Sequence, residues 1–480
     1  MSSAQVSTLD DRASTLLNKW YQQGTAAGNY GDYYDNRDRG HSRLSVAHYP
    51  QLRAVTYLPP EIEQNRDRGL QKTLLPFPAI GNSSMASAPT GAGSLPRIYY
   101  TAAEGVEFLH KQYRANNLYV YPEHRDHDPA TAESGGYGDL YPTNTPYLVI
   151  SQGSSGSDQP FVRALVKTLA AFQPGVKSAL IRTGLLMPTL QRVFRRSNLM
   201  VRTRGDYLSG AAHPSAFDSA QLNTPEMVRR AHSITRETIP PLVRLDVVRD
   251  EQPVQGVDYF EPSAQQIDET LADTPCVVAR IVRGRRYVRS ITVSAGRSID
   301  VNGRKLEFHW KVLRGDASRI QIDTRGATRH TARISVPYHH RRPIASGSAL
   351  ESSRVDIGVF AESDAAVSAP CFVTFYSLPN EERVYDEQGQ ILEINYRSQG
   401  REAYADPRLT ASKGWRDVYR YEDDGSPMGW RRHLNGEWID FTAKGERVLE
   451  RDSKGDPVKV VPVAYVIDDK SGRLTMVPAD

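Results

Sequence analysis

Cysteine is nearly absent: Cys276 and Cys371 are the only two in 480 residues. Two thiols build neither a disulfide framework nor the common four-cysteine zinc sites. Long apolar runs are missing as well. No stretch reaches the roughly eighteen residues that cross a bilayer as a helix. The N-terminus has no basic segment followed by an apolar one, so no signal peptide is expected. One-sided charge is also lacking, since 60 Lys and Arg against 56 Asp and Glu leave a net +4, spread along the chain. That spread argues against a nucleic-acid partner. Two short basic clusters, Arg192–Arg196 and Arg283–Arg289, read as surface patches.

What is there is length, enough for two to four domains, and one stretch dense in chemistry, Leu118 to Arg163. Two apolar runs of strand length, Leu118–Tyr121 and Pro146–Ser151, each end in reactive side chains. The first leads into Glu123-His124-Arg125-Asp126-His127-Asp128, the second into Gly153-Ser154-Ser155-Gly156-Ser157-Asp158 and then a helical pattern. Polar groups massed at the ends of buried strands are where open α/β sheets place their sites. Parallel neighbouring strands would bring both clusters to one edge.

In an extended chain His124, Asp126 and Asp128 point one way, and Glu123, Arg125 and His127 the other. The first set offers one nitrogen and two oxygen ligands for a divalent metal, Zn, Mn or Ca. His41, Asp139 or His213 would complete it. Without a metal, Glu123, His124, Asp126 and His127 are candidates for acid–base catalysis. The bland reading is a charged turn tied by Arg125. In the second cluster Ser154 sits where a nucleophile would in a strand–turn–helix elbow, although the glycine spacing is imperfect. Gly153, Ser155, Ser157 and Asp158 could instead hold an anionic group at a helix N-terminus. The plain alternative is Asp158 as N-cap, with Pro160 in the first turn.

Along the chain, the spacing predicts helices over 7–21, 102–116 and 161–172, and one or two more over 176–198 around Pro188. Gly24–Gly40 reads as turns, and Gln51–Leu58 and Leu242–Val248 as strands. Strand alternating with helix predicts an α/β or α+β domain over 1–250. Residues 251–275 read as a linker. Seven strand-like runs between Cys276 and Tyr376 predict a β-sandwich over 276–378. From 381 to 480, turns such as Asp424-Gly425, Asn435-Gly436 and Ser471-Gly472 predict a hairpin-rich module. Its Trp415, Trp430 and Trp438 read as core, with sugar stacking as the other use.

The run Ser294-Ala-Gly-Arg-Ser-Ile-Asp300-Val-Asn302-Gly303-Arg-Lys-Leu306-Glu-Phe308-His-Trp310 resembles the second and third strands of a PKD-type, immunoglobulin-like domain. Asn302 stands where that family usually has Asp. The resemblance implies a sandwich and no catalysis. As a whole the chain is similar to a group of uncharacterised secreted bacterial proteins. Three segments carry that likeness: Tyr121–Pro129, Ser151–Pro160 and Val355–Phe360. It implies export, to the cell envelope or the outside, with a cytoplasmic location as the alternative. Together these readings predict a polysaccharide-directed hydrolase or lyase with a glycan partner. The competing reading is a non-catalytic surface or adhesion protein with a structural cation site. In an immunoglobulin-like topology the strands opened by Cys276 and Cys371 would run side by side, close enough for a disulfide.

Overall fold

The computed structural model describes residues 4–37, 42–64, 73–83, 103–123, 141–262, 268–344, 351–396, 405 and 409–479. The N-terminal region is organised on an all-parallel sheet in the order β2-β1-β3-β4-β5. Its strands are β1 (Tyr33–Asn36), β2 (Arg53–Ala54), β3 (Ala79–Asn82), β4 (Asn117–Pro122) and β5 (Leu148–Ser151). Every residue of β3, β4 and β5 is buried, as parallel strands covered on both faces must be. β1 lies inside the stretch expected to form turns only. Its four residues alternate too weakly to announce a strand, and burial between β2 and β3 imposes one.

The helices follow from local signals. Asp11 caps the helix Arg12–Gln22, its carboxylate accepting from the Ser14 N–H at 3.0 Å. Asn116, at φ 67°, ends the helix Ala103–Arg114 in the left-handed region. Between the helices Pro174–Thr183 and Leu186–Arg196 the break falls at Gly184, also left-handed, rather than at Pro188. Pro188 sits in the first turn of the second helix, where its missing N–H is not needed.

The middle region holds two sheets around one core. One has the order β10-β15-β16-β8-β7, the other β11-β12-β9-β6. All seven expected runs are strands: β8 (Val277–Val282), β9 (Val288–Ser294), β10 (Glu307–Arg314), β11 (Gln321–Arg325), β12 (Thr331–Pro337), β15 (Val355–Glu362) and β16 (Cys371–Ser377). Two more join them. β6 (Asp246–Asp250) pairs with β9, and β7 (Thr270–Thr274) pairs with β8. The sheets therefore reach back into the stretch expected as linker. The helix Ala103–Arg114 lies against β7, and the Tyr147 hydroxyl meets Thr274 Oγ1 at 2.7 Å and accepts from the Cys276 N–H at 2.9 Å. The hydrophobic core runs unbroken across this seam.

Cys276 and Cys371 do start neighbouring parallel strands, and the Phe372 N–H bonds to the Cys276 carbonyl at 2.9 Å. Both thiols are free and buried, and both lie beside the Val243 carbonyl, at 3.4 and 3.6 Å. The basic clusters are not plain surface patches either. Arg195, Arg283 and Arg289 are buried, and Arg283 and Arg289 are ion-paired to Glu261 and to Asp250 and Glu269.

The C-terminal region is a seven-stranded antiparallel meander in strict chain order, β17 (Glu382–Tyr385) to β23 (Pro457–Val461), followed by the hairpin of β24 (Val463–Ile467) and β25 (Leu474–Pro478). Gly425, Gly436 and Gly472 all take positive φ at the turns, as tight hairpins require. Trp415 and Trp430 are core residues with Phe260, Phe441 and Tyr465. Trp438 is not: it is 42% exposed. Inside that core Arg432 grips Asp417 with two bonds of 2.8 Å and stacks 4.0 Å over Trp415.

Candidate functional site at the C-terminal edge of the parallel sheet

Adjacent parallel strands carry their ends to the same edge, and β4 and β5 do so here. Pro122 stands opposite Ser151, and the Glu123 N–H donates to the Ser151 carbonyl at 2.8 Å. Glu123 therefore lies beside the end of β5, at the edge from which the second loop departs. His124, Asp126, His127 and Asp128 lie outside the described residues, as do His41 and Asp139. Among the described residues no group of three or more His, Cys, Asp or Glu side chains is placed to hold a metal.

His213, expected as a further ligand, is built into the seam between the first two regions. Its Nε2 lies 2.6 Å from the Tyr207 carbonyl and its Nδ1 3.3 Å from Arg195, and its ring packs against Phe360. Burial, aided by Arg195, pushes its imidazole well below the usual range. It is a neutral structural residue.

The loop after β5 turns through Gly153 and Gly156, both at positive φ. Ser154 accepts at its carbonyl from the Ser157 N–H at 3.0 Å, closing the turn. Ser155 is exposed at the tip. Ser157 Oγ lies 2.8 Å from Ser151 Oγ, and the Gly156 N–H donates to Ser42 Oγ at 2.7 Å. Asp158 precedes the helix Gln159–Ala171 but does not cap it. Its side chain is fully buried, and the donors near it stop short of full hydrogen-bond geometry to either carboxylate oxygen among the described residues. Burial raises its pKa above the ordinary 3.8. The Ser42 hydroxyl, the Asn82 amide and the N–H groups of 158 and 159 draw it back only in part.

The neighbouring strand ends add polar groups that single-sequence reasoning did not select. Asn82, at the end of β3, accepts from the Tyr34 hydroxyl at 2.6 Å and donates to the Ser42 carbonyl at 3.0 Å. Asp35, on β1, is fully buried and bound by Arg37 Nε at 2.8 Å, the Tyr57 hydroxyl at 2.7 Å and the Tyr119 hydroxyl at 2.5 Å. Arg37 stacks 4.1 Å from the Tyr119 ring centre. The signal available for this group was Asp35 within two residues of Arg37, in a stretch dense in Tyr, Asp and Asn. With so many donors on it, Asp35 orients side chains, while the donors around Asp158 leave its carboxylate incompletely satisfied.

No protein-family profile matches this chain, and no curated protein does. Among solved structures, a nucleoside hydrolase-related hypothetical protein from Saccharophagus degradans, described as associated with carbohydrate metabolism, is similar at 10% identity. That likeness spans 73% of this chain and 100% of the other, with a TM-score of 0.20. A score that low carries no argument.

Proposed function

We propose that the chain is a hydrolase acting on a carbohydrate substrate at the C-terminal edge of its parallel sheet. The observation that carries this reading is Asp158. A fully buried carboxylate whose nearby donors, the Ser42 hydroxyl and the Asn82 amide, do not reach full hydrogen-bond geometry is costly unless something supplies better-placed donors. A sugar presents several hydroxyl donors at close spacing. Ser42 and Asn82 beside it suit the same ligand. The anion-holding role considered for this loop fits less well, because a carboxylate at its centre opposes a second negative charge.

A carboxyl with a raised pKa also fits a general acid, and Glu123 supplies a second carboxyl at the same edge. Two carboxyls in unlike environments are the usual equipment for glycosidic cleavage. His124, Asp126 and Asp128 follow Glu123 directly and are the proposed ligands if a divalent metal takes part, with His127 a further acid–base candidate. Ser154 is the proposed nucleophile in the variant of the mechanism that needs one. The sandwich, read as PKD-type, would act as a spacer or binding accessory of an exported protein.

The test is hydrolysis of a panel of neutral and acidic oligosaccharides by the full chain. Glu123→Gln and Asp158→Asn are each expected to lower kcat about 100-fold or more on the substrate that is cleaved. Full activity in Asp158→Asn, or cleavage of nothing in the panel, would overturn the reading.

A further inference from the structure

A cleft of about 1130 Å³ lies elsewhere, where the sheet β11-β12-β9-β6 meets the hairpin region. We propose that this cleft binds an acidic oligosaccharide, one carrying carboxylate or sulfate groups. The inference does not rest on the activity proposed above.

The charge arrangement argues for it. Four carboxylates line the cleft, Asp250, Glu251, Asp258 and Glu269, and each is already ion-paired: Asp250 and Glu269 to Arg289, Asp258 to Arg285, Glu251 to Arg286 and Arg289. Three further lining arginines, Arg249, Arg325 and Arg333, are exposed and make no ion pair among the described residues. Asp323 stands opposite Arg333 in register, yet the two form no ion pair. The positive charge left over is therefore concentrated on three guanidinium groups.

Their placement follows from the sheet register. Thr292 on β9 is flanked by Arg249 on β6 and Arg333 on β12. Two strand spacings put those arginine backbones roughly 10 Å apart with a hydroxyl between them. Arg325 pairs with Thr331 one step along the same face, and Ser290 and Ser335 share a hydroxyl contact of 2.9 Å on it. The facing wall is formed by tail loops around Gln390, Tyr421 and Gly425, with Gln390 Nε2 donating to the Gly425 carbonyl at 3.1 Å.

Guanidinium forks bind carboxylate and sulfate in bidentate fashion, and the interleaved hydroxyls suit a sugar chain. A single-stranded nucleic acid would ask for a row of stacking aromatics, and Tyr421 is the one aromatic among the lining residues. A long run of unopposed positive charge is absent too, since six arginines face four carboxylates.

The test uses the full chain with four probes: oligogalacturonate, sulfated dextran oligosaccharide, neutral dextran oligosaccharide and oligothymidylate. Titration calorimetry at low and moderate salt is expected to show binding of at least one acidic glycan, weakening as salt rises. Neutral dextran should not bind. The triple variant Arg249→Gln, Arg325→Gln, Arg333→Gln changes exposed side chains and should fold normally. It is expected to lose affinity tenfold or more, whereas Asp158→Asn should bind like the parent. Binding of neither acidic glycan, or equal affinity in the triple variant, would overturn the proposal. Tighter binding of oligothymidylate than of both acidic glycans would overturn the choice of ligand.

Discussion

The Tyr119 hydroxyl reaches the Asp35 carboxylate at 2.5 Å by passing over Gly81, the residue that separates them in the sheet. β1 and β4 are not neighbours; β3 lies between, and only a residue without a side chain leaves that path open. A Cβ on Gly81 would stand 2.2 Å from the Asp35 carbonyl and 2.5 Å from the Tyr119 ring. Gly81→Ala is therefore expected to destabilise the N-terminal region by about 1–3 kcal/mol, the usual cost of overpacking. Chemical denaturation checks this, and a variant as stable as the parent would show that the Tyr119–Asp35 contact gives way freely.

Asp158 predicts a pH effect of defined sign. Its raised pKa means that the folded state holds the proton more tightly than the unfolded chain. The stability conferred by that proton is full below the ordinary 3.8 and is lost as pH rises through the folded value. Asp158→Asn removes the penalty. Its unfolding free energy should exceed the parent's at pH 7, and the gap should close toward pH 4. A variant less stable than the parent at pH 7 would mean that Asp158 is satisfied by a partner in the folded protein.

Glu261 titrates in the opposite sense. Burial alone would raise its carboxyl, but Lys413 at 2.6 Å, Arg283 and the Thr410 hydroxyl outweigh it and hold it well below the usual range. The stability from this pair is present above the ordinary 4.5 and is lost as pH falls toward the folded value. Glu261→Gln leaves Lys413 buried without its main partner, and is expected to cost about 3–5 kcal/mol at neutral pH. The deficit should shrink below pH 4.5. Urea titrations at pH 7 and pH 3.5 measure both.

The cysteines give the simplest measurement. Both thiols are free in the fold and sealed from solvent. Burial, together with the neighbouring Cys276, pushes the Cys371 thiol well above its usual range, so it should be unreactive at neutral pH. Thiol reagent is expected to label neither residue in the native protein and both after denaturation without reductant. No labelling after denaturation would mean that the pair is oxidised in the protein as isolated.

The sequence by itself determined whatever depends on neighbours along the chain. Helices appear where Leu109 and Tyr113, or Phe161, Leu165 and Leu169, repeat at helical spacing. The hairpins turn at Asp424-Gly425 and Asn435-Gly436 because glycine there accepts positive φ. The strands from Val277 to Ser377 were legible from their own apolar runs and the turns between them. Only the tertiary structure decided contacts between residues far apart. Asp35 meets Tyr119 across 84 positions, and Lys413 meets Glu261 across 152. It also made strands of β1 and β7, where pairing outweighs weak local preference, and placed β6, which overlaps the strand expected over Leu242–Val248, beside β9. Asp158 shows the division most plainly. Its position before a helix marks it as a cap, but its carboxylate makes no capping bond and lies buried beside Ser42 and Asn82, residues more than seventy positions away.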